Sequence, residues 1–205
     1  MVFDFKREKK YYATKVTPSI IEIPMMKFLS IDGKGDPNSS PTYLNAVRAL
    51  YSVSYGIRMT HKSILEYVVP PLEGYWTTSD DFRGNGLPDK SKFEWTMMIR
   101  QPDFVTGDIV QNTLETVQKK HAEIDYENLK FIQYEEGLVA QILHIGAYDN
   151  EAVSIQALNN FIKESGYEPD FSSQRRHHEI YIGDPRRVPP EKLKTILRHP
   201  VKKEK

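Results

Sequence analysis

The chain has 205 residues, 39% of them hydrophobic and 27% charged, a balance that supports a buried core and excludes a disordered chain. Its 28 Lys and Arg match 28 Asp and Glu, so no net field draws it to nucleic acid or to an anionic membrane. Cysteine is absent, which excludes disulfides, thiolate nucleophiles and thiolate-ligated metals and fits a cytoplasmic location.

The opening MVFDFKREKK is charged and lacks the apolar stretch of a secretory leader, and no later run reaches membrane-spanning length. Residues 1–20 read as a lead-in to one folded body over 21–205. From Ile21, IEIPMMKFLSIDGKGDP alternates as a strand does, and Gly33, Gly35 and Pro37 close it with turn chemistry. SSPTYLNAVRALYSVSYGIR follows as an amphipathic helix. Ser39 or Ser40 is its N-cap, Pro41 stands in its first turn, and Leu44, Val47, Leu50, Tyr51 and Ser54 form its apolar stripe. ILEYVVPPLEGYWTT and KFEWTMMIRQP read as strands on either side of the polar connector SDDFRGNGLPDKS.

A helix over TGDIVQNTLETVQKKHA leads to FIQYEEGLVAQILHIGAY, in which both alternating sets are apolar, the pattern of a strand covered on both faces. NEAVSIQALNNFIKESG is a second amphipathic helix, capped by Asp149 or Asn150 and ended by Gly166. HHEIYIGD reads as the last strand. The basic tail DPRRVPPEKLKTILRHPVKKEK reads as a short solvated helix entered through Pro189 and Pro190, with Leu193, Ile196 and Leu197 able to pack. The element order is that of an α+β fold built from two similar strand–helix–strand units, about 21–104 and 105–205, packed about a pseudo-twofold axis with a cleft between the halves.

The strand at His177–Ile182 carries the most chemistry. Its period of two puts Glu179 and Tyr181 on one face with Cα atoms about 7 Å apart, so an acid and a phenol reach one ligand; a solvent-facing polar edge has the same pattern. Trp76 and Trp95 on successive strands offer flat walls for a planar ligand, although Trp95 shares its face with Phe93, Met97 and Ile99, as a core residue does. Tyr51 and Tyr55 lie one helical turn apart, and His144 and Tyr148 precede a helix N-terminus; all four are candidate ligand contacts. No metal is expected: His177 and His178 point to opposite faces of a strand, and no HExxH spacing occurs. Phosphate-loop, dinucleotide and serine-elbow patterns are absent as well.

The segments FLSIDGKGDPN, LEGYW, FEWTMMIRQPDFVT, HIGAYDNE and HHEIYIGDPRRVPPEKLKTILRHPV together resemble the stand-alone GyrI-like small-molecule-binding proteins, over about Met26 to Val201. The resemblance implies tandem strand–helix–strand–strand units, a curved antiparallel sheet and a groove between halves that takes flat aromatic, sometimes cationic, molecules. It also implies that Glu179 occupies the position of the family's acidic groove residue. Relatives of this kind include effector domains of transcription regulators, gyrase inhibitors and hydrolases that open the cyclopropane of planar genotoxins. For this chain the resemblance therefore implies binding of a planar aromatic molecule, with no cofactor, no direct nucleic-acid contact and no membrane. Hydrolysis would use Glu179 to activate water and Tyr181 or Tyr55 to stabilise the oxyanion. The alternative is a sequestering or sensing protein without chemistry, or one acting on a partner such as gyrase.

Overall fold

The structure, a computed structural model, describes residues 2–12, 15–78 and 89–204. Most of the connector SDDFRGNGLPDKS lies outside the described residues. In chain order the elements are β1 (Phe3–Asp4), β2 (Ser19–Lys34), α1 (Pro41–Thr60), β3 (Tyr67–Val68), β4 (Leu72–Thr78), β5 (Phe93–Gln101) and α2 (Gly107–Lys120). They continue with β6 (Lys130–Ile145), α3 (Glu151–Glu164), β7 (Tyr167–Pro169), β8 (His177–Tyr181) and β9 (Lys194–Lys203). The chain forms two compact units, Met1–Phe5 with Met26–Tyr134, and Lys6–Met25 with Glu135–Lys205.

In the first unit β5 pairs antiparallel with β2 on one side and with β4 on the other. The register sets Gly33 opposite Trp95, and a Cβ at Gly33 would lie 2.1 Å from the indole ring. Only a residue without a side chain lets that ring lie across the strand. The expected run ILEYVVPPLEGYWTT divides into β3 and β4 because Pro70 and Pro71 have no N–H to give a ladder. Part of the lead-in is built into this unit: Phe3 and Asp4 pair in parallel with Tyr67 and Val68, and the buried Phe5 ring takes the Arg100 guanidinium 4.7 Å from its centroid.

Helix α1 starts as its sequence dictates. The Ser40 hydroxyl accepts from Tyr43 N at 3.3 Å, and Pro41 occupies the first turn, where its missing N–H is no loss. Its buried face differs from the expected stripe. Ala46, Ala49, Leu50, Val53, Ser54 and Ile57 are buried, whereas Leu44 is 60% exposed. Small residues win the inner face because they let the helices approach closely. A Cβ at Gly56 would stand 2.7 Å from Thr113 Cγ2 and 3.0 Å from Val117 Cγ2 on α2.

In the second unit β9 pairs antiparallel with β6, β7 and β8. This corrects two expectations: β8 is not the last strand, and the tail is not a solvated helix. Its i, i+3, i+4 apolar spacing fitted a helix, and its Arg and His suggested water. As a strand its two faces are both covered, and Arg198 and His199 are 4% and 5% exposed. β6 is covered on both faces from Val139 to His144, as its sequence indicated. On one face, Leu197 and Val201 of β9 join Ala140 and Ile142 of β6 against Leu158 and Ile162 of α3.

The opposite face of β9 holds a buried charge network. Arg198 donates to Glu136 Oε2 at 2.9 Å, to Gln141 Oε1 at 3.2 Å and to the Tyr11 carbonyl, while His178 Nδ1 lies 2.9 Å from Glu136 Oε1. Burial alone would push the Glu136 carboxyl up; the His178 and Arg198 charges overcome it and hold it at about 2.

Candidate active site

The site is built in the second unit, where β8, β9 and α3 bring their polar side chains together. Strand geometry divides β8 as its sequence suggested. His177, Glu179 and Tyr181 share one face, while His178 bonds to Glu136 on the other. Glu179 is the hub of the first face: Tyr181 Oη donates to its Oε2 at 2.7 Å, and His177 Nε2 lies 3.1 Å from its Oε1. Its side chain keeps 15% of its exposure, so a ligand can still reach it.

Beside His177 a line of hydrogen bonds runs through the buried His199 to Asn159, an exposed residue of α3. His177 Nδ1 lies 3.0 Å from His199 Nε2 on β9, and His199 Nδ1 lies 3.0 Å from Asn159 Oδ1 on α3. Phe171 covers the His199 ring edge-on at 5.0 Å. Burial, reinforced by the His177 charge, holds His199 well below its ordinary 6.5.

The second carboxyl of the site is Glu151, the first residue of α3. It is 7% exposed, and its Oε1 is buried without a hydrogen-bond partner among the described residues. Burial, with the Glu179 and Asp149 charges, pushes Glu151 up to about 10, so at neutral pH it is a carboxylic acid. Tyr148, in the helical turn Tyr148–Asn150 before α3, packs edge-on against Tyr181 at 5.7 Å. Burial and the Glu151, Glu179 and Asp184 charges push its phenol up to about 12, so it remains a hydrogen-bond donor.

Donor atoms of Glu151, His177 and Glu179 lie within 4.8 Å of one another. A cation there would have to replace the bond between His177 and Glu179. As they stand, His177 and Glu179 are hydrogen-bonded to each other, and Glu151 stands beside them without a bond to either.

The remaining expected residues have other settings. His144 is buried, with Nδ1 2.9 Å from Ser154 Oγ and Nε2 3.2 Å from the Ala147 carbonyl, and so ties the end of β6 to the start of α3. It does the fastening there that Asn150 does not, since the Asn150 side chain makes no capping bond. In the first unit Trp76 and Trp95 are directly opposed on β4 and β5 and are 5% and 1% exposed. Tyr43 meets Trp95 edge-on at 5.3 Å, and Phe93 meets Trp76 at 5.6 Å. Trp95 also lines an open groove of about 450 Å³ within that unit, together with Asp32, Thr42, Asn45 and Asp125. Tyr51 and Tyr55 stack at 6.1 Å on α1, with Tyr55 51% exposed.

Sequence reasoning missed Glu151, Asn159 and His199. The first had a signal: Glu151, Ile155, Leu158 and Ile162 recur at helical spacing, so the acid stands in phase with the apolar stripe. Asn159 adjoins the same stripe, and His199 was hidden in a tail read as solvated.

Residues 17–202 match the model of a family described as the GyrI-like small molecule binding domain. No curated protein matches the chain. An uncharacterized conserved protein from Listeria innocua of known structure is 40% identical, over 98% of this chain and 100% of its own, with a TM-score of 0.91. A hydrolase from Listeria innocua is 38% identical, over 98% and 100% of the two chains, with a TM-score of 0.88. The C-terminal domain of EcmrR, 12% identical over 91% of this chain and 98% of its own, has a TM-score of 0.55 and shares the fold alone.

Proposed function

Because the chain belongs to the GyrI-like small-molecule-binding family, we propose that it takes up flat aromatic small molecules and hydrolyses those that carry a cyclopropane conjugated to a dienone. The observation that carries this reading is the pair of neighbouring carboxyls in different settings, Glu151 buried and held neutral, and Glu179 hydrogen-bonded by His177 and Tyr181. Keeping one carboxyl neutral lets the other act as a base beside it without like-charge repulsion. The likeness to a hydrolase at 38% identity supports the same reading.

In the proposed reaction, Glu179 takes a proton from water as the water oxygen attacks the strained methylene carbon. The cyclopropane carbon–carbon bond breaks, its electron pair aromatises the dienone ring, and the carbonyl oxygen becomes a phenolate. Glu151 is neutral and does not repel the electron-rich nucleophile, and its unpartnered Oε1 can accept the second water hydrogen. Tyr148 is the better oxyanion donor, since the Tyr181 hydroxyl is already given to Glu179. A proton from bulk water completes the phenol, and the proton on Glu179 is returned to solvent.

The test is incubation with a spirocyclopropyl dienone, with chromatography and mass spectrometry to detect the product one water heavier. Wild-type protein is expected to form it, and Glu179→Gln to lose about 100-fold or more in rate. A variant that keeps the wild-type rate removes Glu179 from the reaction. Compound returned unchanged by wild-type protein leaves a binding protein without chemistry.

A further inference from the structure

Proton counting along one hydrogen-bond chain shows how the two carboxyls come to differ. Asn159 Oδ1 can only accept, so its 3.0 Å bond to His199 uses the Nδ1–H of that ring. His199 is buried and neutral, so its Nε2 offers a lone pair. The 3.0 Å bond from His199 Nε2 to His177 therefore takes its hydrogen from His177 Nδ1. His177 Nε2 then faces Glu179 Oε1 at 3.1 Å. Opposite a carboxylate oxygen only an N–H bonds, and a ring with hydrogen on both nitrogens is an imidazolium.

We propose that His177 is a positioning residue that carries a positive charge, fixed by Asn159 through His199, and that this charge makes Glu179 the ionised member of the carboxyl pair. The inference rests on the acid–base reading of Glu151 and Glu179 given above and names what orders that pair. His177 bonds to Glu179 of β8 and His199 of β9 and has a Glu151 oxygen of α3 within 4.8 Å; Tyr181 and Asn159 bond in turn to Glu179 and His199, and the Thr195 hydroxyl stands by Glu151. Tyr148 and Asp149 before α3, and Asp184 after β8, add to the surrounding field. Glu179 receives two donors, whereas Glu151 Oε1 receives none among the described residues and only the Thr195 hydroxyl favours the charged form of that carboxyl. The proton therefore stays on Glu151, and Glu179 is left as the base.

The first test reads the histidine nitrogens directly, by long-range proton–nitrogen NMR of the full chain labelled with ¹⁵N-histidine near neutral pH. The expected pattern is His199 protonated at Nδ1 alone and His177 protonated at both nitrogens. His177 found neutral, with hydrogen at Nε2 and a lone pair at Nδ1, means that the chain runs the other way and overturns the proposal.

Variants give the second test. Asn159→Leu removes the acceptor that sets the polarity, and Asn159→Asp keeps it. Asn159→Leu is expected to leave His177 neutral and, like His177→Gln, to move the acidic limb of the hydrolysis pH profile upward by about 1–3 pH units, because a carboxylate losing a neighbouring cation holds its proton longer. Asn159→Asp is expected to keep both the imidazolium and the limb. A purely structural role would lower the rate without moving the limb, and an unmoved limb in Asn159→Leu overturns the proposal. An imidazolium seen in a protein that opens no cyclopropane upholds the proton assignment and sinks the hydrolase reading alone.

Discussion

Replacing Glu151 with Gln should stabilise the protein, and increasingly so as the pH rises. Glu151 is pushed from an ordinary 4.5 up to about 10, so the folded state holds a proton that the unfolded chain releases above 4.5. Folding then loses about 1.36 kcal/mol for each pH unit above that point, or about 3 kcal/mol by pH 7. Gln keeps the shape and has no proton to lose. Urea unfolding at about pH 5 and pH 7, with midpoints converted through a common slope, measures the difference. The expected gain for Glu151→Gln is under about 1 kcal/mol at the lower pH and about 3 kcal/mol at the higher. A gain that is absent, or the same at both pH values, would show that Glu151 is not held neutral and would remove the acid from the site.

Other outcomes follow from the same physics. Gly33→Ala puts a Cβ 2.1 Å from the Trp95 ring, which Tyr43 also confines. It should lower stability by about 1–3 kcal/mol or more and change the near-ultraviolet dichroism of the tryptophans; wild-type stability would mean that the ring has room to move. Arg198→Met leaves Glu136 buried with one partner fewer and should cost about 3–5 kcal/mol in urea unfolding. Glu136 is held at about 2 against an ordinary 4.5, so its contribution is present above 4.5 and is lost as the pH falls toward 2. Wild-type stability should fall across that range, and more shallowly in Glu136→Gln.

Much of the architecture was legible in the sequence where pattern and propensity agreed. Strand β2, helix α1 with its Ser40 cap, and the doubly covered β6 all announce themselves, and the face of β8 that carries Glu179 follows from alternation alone. Legibility failed where a polar residue is buried because a partner arrives from far along the chain. Arg198 and His199 look like solvent residues until Glu136 and His177 meet them. Glu151 drew no notice in the sequence, and what sets it apart is burial together with the Glu179 charge that β8 brings beside it. The inner face of α1 was misread for a different reason: hydropathy favours Leu44, whereas close helix packing favours Ala46, Ala49 and Gly56.

The central place of β9 sets a timetable for the protein's synthesis. The chain is made from its N-terminus, and β6, α3 and β8 all leave the ribosome before the strand that joins β6 to β8. Until β9 arrives, Glu136 and His177 have no Arg198 or His199 to meet, and the second unit has no ladder on which to close. Elongation that stops short of Lys194 therefore leaves a nascent chain with His177, Glu179 and Tyr181 all made and no His199 to fix the His177 ring. Competence arrives in one step, with a strand whose own sequence looks least suited to a protein interior.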